Sequence, residues 1–391
     1  MNILLLGNGF DLYHELPTAY KHFLTFIHYI CEGSFINEKV KLDDTYLNKF
    51  TSKPDKTETI KNLNSNLWYQ YFLARYEDNL IAGENWIDFE SEIQRVIFTC
   101  DLLEKKYDPR YKEEVDSDLK AFDDVIKSAT FSSYIDIREQ DYNLGSQRAK
   151  VLVFTNLKEL KMQLLIDLNT LIIALSIYLH DFVEEYYKPK KDPFIESSFN
   201  GVNKVLSFNY THTFHNVYKP KLRDDNFCYI HGEDINDGKN MVLGIDEYLN
   251  ADEKNVRLDF VQFKKYFQRI IKGTGNSYLD WLNQYYKEVN EINRQFPYGK
   301  KSELTIRYSM DELKRNFHLY VFGHSLDVTD KDIISKLIDN DFMNTRIYYR
   351  DPDDLNNKVI NLIKMIGQDR LIDMTARKQI EFEQIPEKKE S

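Results

Sequence analysis

Four short segments carry side chains able to do chemistry at one place: Gly7-Asn8-Gly9-Phe10-Asp11, Ser207-Phe208-Asn209-Tyr210-Thr211, Ile230-His231-Gly232 and Gly323-His324-Ser325-Leu326. Each follows a short apolar run, and ligands of open parallel α/β sheets bind at the carboxyl ends of such strands. His231 is the candidate general base, since imidazole titrates near neutral pH. Asn209 offers a donor and an acceptor to a sugar or an amide. Gly7 and Gly9, with Asn8 between them, let the backbone turn tightly against a phosphate at a helix start. Asp11 adds a carboxylate, and Gly323 and Ser325 form a second loop with a hydroxyl. One shared pocket is the expectation.

Each segment also has a plainer explanation. A strand-to-helix turn accounts for Gly7-x-Gly9, and a lone histidine is more often structural than catalytic. No third glycine follows, and no second strand arrives within about 30 residues with a ribose-binding acid, which argues against an NAD(P)-dependent dehydrogenase. His212 and His215 stand at helical spacing without a third ligand, so no metal site is expected. The carboxylates of Trp86-Ile87-Asp88-Phe89-Glu90-Ser91-Glu92 suit a helix start, where acids complement the dipole.

The elements that must position these groups change character along the chain. Residues 2–6 read as a strand buried on both faces. The next comparable run is Lys204 to Phe208. Between them the pattern is helical: about Tyr20 to Ile30, Thr57 to Ile81, from Trp86 onward, and about Gln147 to Tyr187, where leucines from Leu157 to Leu179 form a bundle-like face. After residue 203, apolar runs at Phe227 to Ile230, Met241 to Leu243, His318 to Phe322 and Arg346 to Tyr349 alternate with helical stretches near 255–272, 277–293 and 304–315. Thr329 or Asp330 would cap a helix beginning at Asp332. The expected fold is α/β: a Rossmann-like parallel sheet with helices on both faces and a large α-helical insertion. Its divisions are 1–19 for the first strand and phosphate loop, 20–200 for the insertion, 201–376 for the remainder, and a frayed tail at 377–391.

With 391 residues, of which 42% are hydrophobic and 14% aromatic, the chain can build real cores. A net charge of −11 argues against nucleic acid as a partner. Cys31, Cys100 and Cys228 are too far apart for a disulfide framework or a zinc ribbon, which fits a reducing cytoplasm. Leu164 to Leu179 is interrupted by Asp167, Asn169 and Thr170, so no membrane span is expected. Self-association is neither required nor excluded.

The first motif with His14, Leu16-Pro17-Thr18, Tyr20 and Phe23, then Trp86 with Asp88-Phe89-Glu90, and the segments around Asn209, His231 and Gly323 together closely resemble the bacteriophage abortive infection AbiH family. The likeness runs from residue 1 to about 350. It implies a bacterial anti-phage defence protein with an unknown phage trigger, and it fixes no reaction. More distantly, the order of motifs is similar to the sirtuin superfamily of NAD-consuming domains. In that likeness Gly7 and Gly9 correspond to the phosphate loop, Asn209 to the asparagine of a Thr-Gln-Asn-Ile-Asp segment and His231 to the catalytic histidine. Gly323, Ser325, Leu326 and Val328 fall on the last motif, while Gly244 and Glu247 resemble the Gly-Glu that follows the His-Gly strand. Asp11 and Thr211 depart from the pattern and the zinc ribbon is missing, which speaks against protein deacylation.

The resemblance implies an NAD glycohydrolase, with NAD as the small-molecule nucleotide and no metal. His231 and Asn209 would act at the ribose, Gly7, Asn8, Gly9, Gly323 and Ser325 would hold the rest, and Asp11 would stabilise positive charge. A nucleotide-binding sensor without turnover is the alternative. A nucleic-acid-directed toxin is the third.

Overall fold

The computed structural model describes residues 1–106, 120–140, 149–154, 157–234, 238–250, 252–295, 317–341 and 343–388; among these, side chains are described outside 106, 136–154 and 292–295. The expected helix at 304–315 lies outside these residues. Eight strands are described: β1 (Asn2–Leu6), β2 (Ile135–Gln140), β3 (Ala149–Phe154), β4 (Lys204–Ser207), β5 (Phe227–Tyr229), β6 (His318–Phe322), β7 (Asn344–Tyr349) and β8 (Ile380–Gln384). The chain divides into two compact units. One comprises Met1–Thr18, Val183–Asn236 and Arg269–Ser391, and the other Ala19–Phe182 and Asp237–Gln268.

The first unit is a six-stranded sheet in the order β5-β4-β1-β6-β7-β8, with every pairing parallel. Counting only its own strands, this is the 3-2-1-4-5-6 order of the Rossmann arrangement, in which the direction of winding reverses between β1 and β6. Ile3, Leu4, Leu5 and Leu6 are all buried because β1 is central and covered on both faces. Alternate residues then feed two cores. Ile3 and Leu5 join Leu206, Ile230, Leu319 and Val321 under the helices Tyr278–Gln295, Lys331–Ile338, Pro352–Ile366 and Gln368–Ala376. Leu4 and Leu6 join Val205, Phe10, Phe199, Phe214 and Phe322 on the opposite face.

Local chemistry sets where these helices begin. Pro352 occupies the first turn and the Asp351 carboxylate accepts from the Asp354 N–H; Asp192 caps Pro193–Ser198 in the same way. The segment expected to fray is in fact structured up to residue 388. Its strand β8 pairs with β7, with Ile380 buried and Glu381 exposed, so an alternating edge strand had the composition of a charged tail.

The second unit is mainly helical, with Tyr20–Glu32, Asp44–Thr51, Pro54–Lys61, Leu67–Ile81, Phe89–Lys106 and Leu157–Ser176. Its core is aromatic: Phe26 meets Phe50, Tyr178 and Phe182, and Phe72 stacks on Phe89 at 4.1 Å. Asp167, which breaks the apolar run of its helix, accepts from the Leu67 N–H at 2.7 Å and so satisfies the start of Leu67–Ile81. The helix Leu157–Glu184 is long and apolar enough to cross a membrane, but 61% of its most apolar window is buried inside the protein, as in a core helix.

Four expectations change here. The start of the expected Gln147 to Tyr187 helix is instead β3, paired with β2 in an antiparallel hairpin, and the helix begins at Leu157. The single helix from Thr57 to Ile81 is two, parted at Asn62–Ser65. The stretch near 255–272 is helical only at Val261–Phe263 and Lys265–Lys272. Met241, Val242 and Leu243 are fully buried but form no strand. The Gln268 side chain bonds the N–H and carbonyl of Leu243 as a neighbouring strand would.

Candidate functional site

The loops after β1, β4, β5 and β6 all leave the carboxyl end of the sheet. At the reversal between β1 and β6, two of them touch backbone to backbone. The Gly9 N–H donates to the Gly323 carbonyl at 2.8 Å, and the Gly7 and Phe10 N–H groups donate to Phe322 and Gly7 carbonyls. A Cβ on Gly9 would stand 2.7 Å from the Gly323 oxygen, and one on Gly323 2.2 Å from the Phe10 nitrogen. These glycines are therefore required by contact between distant loops, and three amides of the first loop are already satisfied within the protein. Asn8 turns outward, its amide oxygen accepting from the Thr18 hydroxyl at 2.6 Å.

Beside this contact, on the Leu4/Leu6 face, lies a narrow cleft with room inside for about one water-sized group, lined by Asp11, Ser207, Asn209, Thr211, Thr213 and Tyr229 over apolar walls. Asp11 and Asn209 are 1% and 6% exposed. Thr211 donates its hydroxyl to Asp11 Oδ2 at 2.6 Å. Burial pushes the Asp11 carboxyl up to about 7, against the Thr211 and Thr213 hydroxyls, which favour the charged form; Glu184 and Asp234 add repulsion. The Ser207 hydroxyl donates to the Asn209 carbonyl, and its oxygen accepts the Asn209 N–H.

His231 is not among the lining residues of that cavity; nor are Gly7, Gly9, Gly323 and Ser325. The histidine is buried in a second cluster, its ring 5.5 Å from Phe208, whose other neighbour is His324 at 4.4 Å. Phe208 and Leu326 belong to the Ile3/Leu5 core, so this cluster borders the opposite face. Asp330 joins the two imidazoles: His231 Nε2 is 3.7 Å from one carboxylate oxygen and His324 Nε2 is 3.5 Å from the other. The Leu326 N–H donates to His324 Nδ1, which assigns the ring proton to Nε2, facing Asp330. The His324 carbonyl in turn accepts from the buried Lys358 ammonium at 2.8 Å. Ser325 is exposed.

The sequence reading missed Asp330 and His324. Asp330 precedes Lys331–Ile338, yet its side chain makes no cap; an acid before a helix looks like a cap in either case. His212 was considered only as a metal ligand. Its ring lies within 3.3 Å of the carboxylates of Glu184 and Asp234 and 2.9 Å from that of Glu233. Burial disfavours its charged form, but hydrogen bonds to the three carboxylates prevail and push it up to about 12, so it is an imidazolium at neutral pH. Gly244 and Glu247 fall in the other unit, where Glu247 accepts from Lys264 at 2.7 Å. Cys31, Cys100 and Cys228 are free thiols.

A 3-2-1-4-5-6 parallel sheet with helices on both faces and polar loops gathered at its carboxyl end defines a Rossmann-like α/β protein. The family described as bacteriophage abortive infection AbiH matches residues 3–350, and the chain belongs to that family. No curated protein and no solved structure shows a significant match.

Proposed function

We propose that this member of a phage abortive infection family hydrolyses NAD to nicotinamide and ADP-ribose at the carboxyl end of its sheet, in the bacterial cytoplasm. The observation that carries the reading is His231 at the end of β5 with Asp330 beside its Nε2, a base with an orienting carboxylate, on a sheet wound in the order that suits dinucleotides. In the reaction the C1′–N1 bond breaks and its electron pair leaves with nicotinamide, neutralising the pyridinium. Water attacks C1′, and His231 takes the proton that water loses. Asn209 and Asp11 line a cavity that His231 does not, and they hold a part of the nucleotide other than the reacting carbon. Asn8, Gly7, Gly9, Gly323 and Ser325 belong to the loops proposed to flank the remainder of the nucleotide.

The test is product analysis after incubation of the full-length protein with NAD. Equimolar nicotinamide and ADP-ribose are expected, with His231→Ala inactive but folded. NAD recovered intact under conditions where the protein protects cells from phage would refute hydrolysis.

A second reading, a nucleotide sensor without turnover, draws support from the absence of His231 from the cavity lined by Asp11 and Asn209, since a base away from the bound group leaves binding without chemistry. It predicts saturable NAD binding and full recovery of the nucleotide.

A further inference from the structure

The cavity beside Asp11 and Asn209 has a lopsided hydrogen-bonding character. Thr211 spends its hydroxyl proton on Asp11 Oδ2, and Ser207 spends its own on the Asn209 carbonyl. Two acceptors are left over: Asp11 Oδ1 and Asn209 Oδ1 are buried without a hydrogen-bond partner. Buried polar atoms are satisfied in the great majority of cases, so two orphans on one cavity call for a donor from outside. No lysine or arginine is among the lining residues. The apolar walls include Phe10 and Phe214, so the space beside the two acceptors is otherwise non-polar. A metal ion fits less well, because Mg²⁺ and Ca²⁺ take about six to eight oxygen ligands and only two are free.

We propose that this cavity receives the exocyclic –NH2 of a flat heteroaromatic ring, with its two N–H bonds directed at Asp11 Oδ1 and Asn209 Oδ1. The inference deepens the NAD reading, on which it rests for the choice of ligands, since NAD carries such a group at both ends: the carboxamide of nicotinamide and the 6-amino group of adenine. A ring bearing a carboxylate or a carbonyl in that place would meet acceptors with an acceptor and be rejected. The narrowness of the cavity suits entry of the –NH2 tip with the ring held nearer the mouth.

Calorimetric titration of the full-length protein at pH 8, where the Asp11 carboxyl is ionised and accepts only, tests this with four small molecules: nicotinamide against nicotinic acid, and adenine against hypoxanthine. The expected result is binding by at least one amino compound, with its counterpart at least roughly tenfold weaker, and the pair that discriminates identifies which end of the dinucleotide enters. Asp11→Asn should weaken binding at least roughly tenfold, because an amide cannot accept from both Thr211 and the ligand without presenting its own –NH2 to one of them. Circular dichroism confirms that the variant is folded, and Asn209→Ala gives a second, independent loss. Absence of binding by all four would mean a cavity that holds only water, and equal binding within both pairs or unchanged binding by Asp11→Asn would equally overturn the proposal. Discrimination without NAD loss leaves this inference standing while hydrolysis fails; NAD loss without discrimination removes this inference alone.

Discussion

Asp11→Asn is expected to stabilise the sheet unit increasingly as pH rises. The carboxyl of Asp11 sits at about 7 in the folded protein against 3.8 for the free group, chiefly because burial penalises its charge. A folded-state value above the unfolded one means that the folded chain holds the proton more tightly. Stability from this group is therefore fully present below pH 3.8 and is lost as pH rises to about 7. A rise of about 3 units corresponds to ~4 kcal/mol at pH 8, of which ~3 kcal/mol is lost between pH 5 and pH 8. Asparagine is nearly isosteric, accepts the Thr211 hydroxyl through its amide oxygen, and has no charge to bury.

The assay is urea unfolding of wild type and variant at pH 5, 6, 7 and 8. Trp281 is the tryptophan of the sheet unit; Trp68 and Trp86 lie in the other, so a Trp68→Phe/Trp86→Phe background isolates its fluorescence. The stability difference, variant minus wild type, should grow by ~3 kcal/mol over that range. A difference that stays flat, or a variant that becomes less stable than wild type at pH 8, would show that the carboxylate is held ionised by partners and would refute the desolvation argument.

Three further outcomes follow from the geometry. His212→Gln should cost roughly 3–5 kcal/mol at pH 7, because it leaves the carboxylates of Glu184, Glu233 and Asp234 without their shared cation; nitrogen-15 NMR of the wild type should show both ring nitrogens protonated at pH 8, and a neutral ring there would contradict the cage. Burial lowers the His212 value, but the three carboxylates outweigh it and raise it from 6.5 to about 12, so the stability it contributes is complete below pH 6.5 and is lost as pH rises through about 12. Gly323→Ala should lower the melting temperature by several degrees or prevent folding, since its φ is 71° and the new Cβ meets the Phe10 nitrogen; unchanged melting with lost nucleotide binding would instead restore the view of this glycine as a ligand contact. Metal analysis of the purified protein should find no structural zinc, and an acetylated peptide incubated with NAD should stay acetylated; stoichiometric zinc or O-acetyl-ADP-ribose would overturn both expectations.

The strands were readable in the sequence to the extent that burial marks them. β1 and β6 are covered on both faces and appear as continuous apolar runs, so the parallel α/β class and the four loops at its carboxyl end were open to inspection. β8 was hidden because an edge strand alternates Ile380 and Phe382 with glutamates. The Met241 to Leu243 run misled because apolarity reports burial, not pairing, and here the side chain of Gln268 does the bonding.

The limits at the site are those of non-local contact. Nothing adjacent to Gly9 in sequence says that its hydrogen would face the Gly323 carbonyl, so Gly7-x-Gly9 looks the same whether it spares room for a phosphate or for another loop. Asp330 reads as a helix cap until His231 and His324 converge on it. Asp11 and Asn209 are legible for their chemistry, yet their orphaned oxygens show only once Thr211 is seen to donate to the other oxygen of Asp11 and Ser207 to the Asn209 carbonyl. What the residues could do was legible from their types; which of those capacities remain unspent depends on partners that only the folded chain brings together.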